Sequence, residues 1–152
     1  MKKFFRILIG VFAGLVLIQL IPVDRDNPPV NEKDNFVTIY KTPPQMVSIL
    51  RNACYDCHSN ETVYPWYAYV APVSWSIKHH VNKGREHLNF STWGSANAYL
   101  KKSALEHSIE ELQELGMPPI GYISQHPKAN LTTQQRKLLE DYFRTLLDQG
   151  AY

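Results

Sequence analysis

Both cysteines of this 152-residue chain fall within five consecutive residues, Cys54-Tyr55-Asp56-Cys57-His58. No other feature restricts the fold as strongly, because C-x-x-C-H is the attachment signature of a covalently held haem, and such a chain must fold around the group. The spacing has a mechanical reason. Two thiols have to reach the two vinyl groups on one edge of the porphyrin, while the adjacent imidazole turns beneath the ring to meet the iron. His58 is then the proximal ligand, and its second ring nitrogen needs an acceptor that fixes its orientation. Three rival readings use the same residues. A thioredoxin-like redox pair needs a βαβ setting, which a helical chain lacks. A structural zinc site needs four ligands, for which His79 and His80 offer one close pair. A plain Cys54–Cys57 disulfide leaves His58 without a role.

The charge distribution narrows the partners. The chain carries 16 Lys+Arg and 14 Asp+Glu, but Lys2, Lys3 and Arg6 stand at the extreme N-terminus. The remainder is slightly acidic, without the basic footprint that nucleic-acid binding requires. Those three cations precede an apolar run that ends at Ile21-Pro22. From Phe4 onward it amounts to roughly 18 residues, or roughly 27 Å of helix, near the minimum for crossing a hydrocarbon core. The sequence therefore predicts a transmembrane anchor over residues 1–22, with the positive end cytoplasmic and a single pass through a bacterial inner membrane. A cleaved signal peptide is the alternative, but no Ala-x-Ala-like site follows the run. In either case the remainder is expected in the periplasm.

Residues 23–42 read as a linker. Pro28 and Pro29 interrupt a polar stretch with no helical or strand period, and Phe36–Tyr40 suggests a short strand packed along the domain. The folded unit is expected over residues 43–152, where helical periodicity dominates. One segment follows Pro43 and Pro44 with Met46, Ile49, Leu50 and Ala53 on one face. A second follows Pro72, bringing Val73, Ile77, Val81, Gly84 and Leu88 onto a narrow arc. A third runs from about Ser95 to Leu115 with Gly116 as its stop, and a fourth begins at Thr132, whose pairing with Gln135 spells a capping box. The predicted class is all-α, with about four helices around the haem.

Further residues carry a resemblance. The motif continues as Ser59-Asn60, then come Tyr64-Pro65-Trp66-Tyr67, Pro72, the Trp75–His80 run and Asn89-Phe90-Ser91. Later come Gly116-Met117-Pro118-Pro119, Tyr122, His126-Pro127 and Leu131-Thr132. Together these resemble the bacterial haem-binding domain related to class I cytochromes c, over nearly all of residues 43–152. The resemblance implies a monohaem, extracytoplasmic domain with a cytochrome c-like helical fold and, from the wider cytochrome group, a role in carrying electrons.

Class I cytochromes c commonly present a methionine from a proline-bracketed loop, and Met117 matches that position as the sixth iron ligand. His80 is the main alternative, with His87 and His126 behind it, and an open sixth position is the remaining option. The resemblance also implies a proline carbonyl as acceptor for His58, from Pro65 or Pro72. Tyr64, Trp66, Tyr67, Trp75 and Trp93 read first as aromatics packing the porphyrin. One of these five aromatics, with Trp75 carried forward, or Arg85, is a candidate hydrogen-bond donor to a propionate, whereas Glu110, Glu111, Glu114, Lys101 and Lys102 read as a solvated helix face.

Three functions follow from these features. The first is a membrane-anchored carrier holding one covalent haem c and passing single electrons between redox partner proteins. The second is a haem-based sensor or ligand-binding domain with a displaceable sixth ligand. The third is an enzyme such as a peroxidase, for which no distal His and Arg pair is visible; a non-enzymatic carrier is the expectation.

Overall fold

The computed structural model of the chain describes residues 1–150 and 152. Among these residues the regular structure is helical throughout, with eight α-helices, three short 3-10 turns and no strand. The helical class expected from the sequence holds.

The N-terminal expectation requires correction. Helix α1 spans Lys2–Ile18, buries none of its residues, and is too short and too charged to cross a membrane. No helix of the described residues is long and apolar enough to do so. Lys2, Lys3 and Arg6 lie inside the helix, so the uncharged part is Ile7–Ile18, about 18 Å against a hydrocarbon core of about 30 Å. The run ends early because the chain leaves the helix at Gln19. That side chain pairs with both backbone groups of Ala71, donating to its carbonyl (3.0 Å) and accepting from its N–H (2.9 Å). The transmembrane helix, and with it the single-pass inner-membrane location, is not supported.

The stretch between α1 and residue 43 is packed rather than extended. Helix α2, Phe36–Ile39, replaces the expected strand. Its cap, Asn35, is fully buried; it accepts from the Val37 N–H and from the Tyr55 hydroxyl, and donates to Glu61. A β-branched run with no partner strand gains nothing from extension, whereas a capped turn satisfies its backbone. Phe36, at 0% exposure, is the hub of the core. Its ring meets Tyr40, Phe90 and Trp93 edge-on at centroid separations of 4.8, 5.1 and 5.1 Å. Tyr142 and Phe143 approach it at 6.2 Å. Edge-to-face pairs add to the apolar burial of such rings.

The remaining elements build on this core. Helix α3 is Pro44–Ala53, and α4, Tyr55–His58, follows after a single joint residue, Cys54. Helix α5 is Val73–His87 and packs against α4. Helix α6, Ala98–Gln113, starts later than its expected position because Asn97 caps it by accepting from the Leu100 N–H (2.9 Å). It lies against α8, Thr133–Asp148, whose predicted Thr132/Gln135 capping box is present in both directions. Between them, α7 spans Ile120–Ile123. The stop of α6 is Leu115 rather than Gly116. Leu115 adopts a left-handed φ of 60°, and the Gly116 N–H closes the turn on the Glu111 carbonyl (2.9 Å).

Candidate functional site

The five motif residues sit at the junction of α3 and α4. Cys54 ends one helix and precedes the next, so Cys54 and Cys57 are placed a single helical turn apart. Both thiols are free in this structure. Burial pushes both up, Cys54 to about 12 and Cys57 to about 11, with each thiol also opposed by neighbouring negative potential. They are protonated at neutral pH, the reverse of the low-pKa thiol of a redox dithiol. Among the described residues no cluster of three or more His, Cys, Asp or Glu is arranged to hold a metal ion, so the zinc reading has no support.

His58 is held from behind by the end of α5. Its Nδ1 lies 2.9 Å from the Gly84 carbonyl oxygen and 3.2 Å from that of Leu88. A carbonyl only accepts, so Nδ1 carries the proton and Nε2 keeps its lone pair, without a hydrogen bond to the protein. Burial lowers the affinity of this imidazole for a second proton, outweighing the two carbonyls that raise it. A neutral imidazole with its outer nitrogen free and its inner nitrogen anchored is the form that binds a metal. The acceptors are the end-of-helix carbonyls of Gly84 and Leu88, not those of Pro65 or Pro72. No side-chain pattern marks a carbonyl in advance.

Gly84 has a second task. A Cβ there would stand 2.5 Å from the Cys57 carbonyl oxygen and 3.1 Å from the Cys57 Cβ. The absence of a side chain is what lets α5 approach the motif closely enough for its carbonyls to reach His58. Arg85, next along, is engaged by the protein. Its Nε donates to the Ser59 carbonyl (2.7 Å), and its Nη2 to Asn27 (2.6 Å) and Thr62 (2.9 Å). It clamps the turn after the motif to the segment before α2. Trp75 lies exposed on α5, as do His79 and His80, whose rings meet edge-on at 6.0 Å. Trp93 is buried in the core and donates from its indole to the Tyr40 hydroxyl (2.8 Å).

The segment that follows Met117 is tied to the motif at one point. The Tyr122 hydroxyl donates to Asp56, between the two cysteines, at 2.7 Å. His126 stacks on Tyr122 (4.2 Å) and hydrogen-bonds the Tyr67 hydroxyl (2.7 Å). Arg136 on α8 donates to the Met117 carbonyl (2.6 Å), the Met117 N–H reaches the Glu111 carbonyl (3.3 Å), and Pro118 is buried. The Met117 side chain remains 39% exposed. The Glu111 carboxylate also exerts a field on His58, raising its proton affinity. Tyr122, stacked on His126, is thus what fastens the segment after Met117 to the motif.

A haem fits this donor set. Two protonated thiols one turn apart, beside an imidazole with a free, oriented nitrogen, supply two attachment points and an iron ligand. The family model described as "haem-binding domain" matches residues 13–145. No curated protein and no solved structure matches the chain.

Proposed function

This chain belongs to the haem-binding domain family, and from that premise we propose that it is a monohaem c-type cytochrome, related to the class I cytochromes c, that carries single electrons between partner proteins. The observation that carries this reading is the arrangement of His58, fixed through Nδ1 on the Gly84 and Leu88 carbonyls beside two free thiols. Cys54 and Cys57 would hold the group covalently, each adding its sulfur and hydrogen across one vinyl double bond so that no atom is left over. His58 would supply the proximal nitrogen. Bound haem supplies a one-electron couple at its iron.

Met117 is the proposed sixth ligand. Helix α5 backs His58 on its Nδ1 side, so a ligand facing the opposite side of the iron must come from another element, which disfavours His80. The Met117 loop is such an element, attached to the motif through Tyr122 and Asp56. Its backbone is pinned by Arg136 and Glu111, so the thioether is offered from a fixed point.

The exposure of the Met117 side chain favours a second reading, a ligand-binding domain whose sixth ligand gives way. Visible spectra of the reduced, haem-loaded protein with and without carbon monoxide separate the two. A carrier with Met117 bound keeps its spectrum at neutral pH, and Met117→Ala then admits the gas. Prompt binding by the unmutated protein contradicts the carrier reading.

A further inference from the structure

Among the described residues, the Tyr64 hydroxyl is the buried side-chain oxygen or nitrogen left without a hydrogen bond. Buried polar groups are almost always paired, so an orphan beside a proposed cofactor site points to a group the chain itself does not supply. Tyr64 is not loosely placed. It follows Val63, whose N–H donates to Asp56 (2.9 Å), and Thr62, whose hydroxyl donates to the Asp56 carbonyl (2.6 Å). It precedes Pro65, which restricts its backbone. The segment is thus registered on the haem motif.

The surroundings indicate the sign of the missing partner. Two guanidinium groups, Arg25 and Arg85, act on the Tyr64 hydroxyl, along with the Asp24 carboxylate and the Cys57 thiol. Asp24 is occupied by the Asp26 N–H (2.8 Å) and by Lys78 (3.5 Å). The Arg85 donors reach Ser59, Thr62 and Asn27. Burial holds the phenol's proton more tightly than usual, so the hydroxyl is a donor to which the chain offers no acceptor.

We propose that the Tyr64 hydroxyl is the protein's hydrogen-bond donor to a carboxylate of the bound haem. This assignment rests on the covalent-haem reading above. The test compares the haem-loaded protein with its Tyr64→Phe variant by resonance Raman spectroscopy of the propionate-bending mode, after covalent haem content has been measured in each. The variant is expected to keep its full haem while this mode shifts to lower frequency, because the donor is lost. An unshifted mode at full haem content overturns the assignment and leaves the haem reading intact. An unmutated protein without covalent haem overturns the haem reading instead. Should Tyr64→Phe fail to accumulate, a crystal structure of the haem-loaded chain decides. The proposal expects the hydroxyl oxygen about 2.5–2.7 Å from a carboxylate oxygen; a hydroxyl paired with water or with a protein atom overturns it.

Discussion

Leu115 holds a left-handed backbone one residue before the Gly116-Met117 turn, a conformation that a branched side chain adopts only at a cost. Its side chain is mostly exposed, so little packing is lost by removing it. Leu115→Gly is therefore expected to raise the unfolding free energy by about 1 kcal/mol, measured by denaturant titration. Gly84 behaves in the opposite sense. In an ordinary helix interior, Gly→Ala gains about 1 kcal/mol, but here the added Cβ meets the Cys57 backbone. Gly84→Ala should destabilise by about 1–3 kcal/mol net, the usual range for overpacking. If His58 binds the iron as proposed, the visible spectrum of the haem-loaded protein should shift as well, because Nδ1 rests on the Gly84 carbonyl. The sequence exposes these residues unequally. Cys54, Cys57, His58 and Met117 stand in recognisable patterns, because the chemistry proposed for them would need particular side chains at particular spacings. Gly84 reads only as one member of an apolar arc, since its service is a carbonyl and an absent Cβ, neither of which leaves a pattern.

Helix α8 was legible to its first residue because Thr132 and Gln135 form a local device, complete within four positions. Thr132→Ala should lower stability by about 1 kcal/mol, the ordinary value of an N-cap, without altering the haem spectrum. Helix α2 was misread because its preference is set by contacts remote in sequence: Asn35 is held by Tyr55 and Glu61, and Phe36 by Phe90 and Trp93. Helix α1 shows how hydropathy alone overreaches. The apolar run reads as a span, yet the helix stops at Ile18 and Gln19 pairs with Ala71. Since none of α1 is buried, deleting residues 2–18 should change the unfolding free energy by no more than about 0.5 kcal/mol. A larger loss in calorimetry would show that α1 packs on the body.

For the molecule as a whole, pH acts through buried phenols. Tyr55 and Tyr122 are both pushed above the usual tyrosine value of 10.0, chiefly by burial, and Tyr122 also by its bond to Asp56. A group whose proton is held more tightly in the folded state stabilises that state below its unfolded pKa. The contribution disappears as pH rises toward the folded value. Denaturation midpoints of the haem-loaded protein should therefore fall above about pH 10, and Tyr122→Phe should flatten the fall. Every part of the proposed function, however, depends on a haem attached covalently at α4. The most direct measurement is acid–acetone extraction of the denatured, haem-loaded chain, followed by its intact mass, alongside a variant with Cys54→Ala and Cys57→Ala. The account predicts that haem stays on the unmutated chain and is absent from the variant. Complete release of haem from the unmutated chain would contradict it.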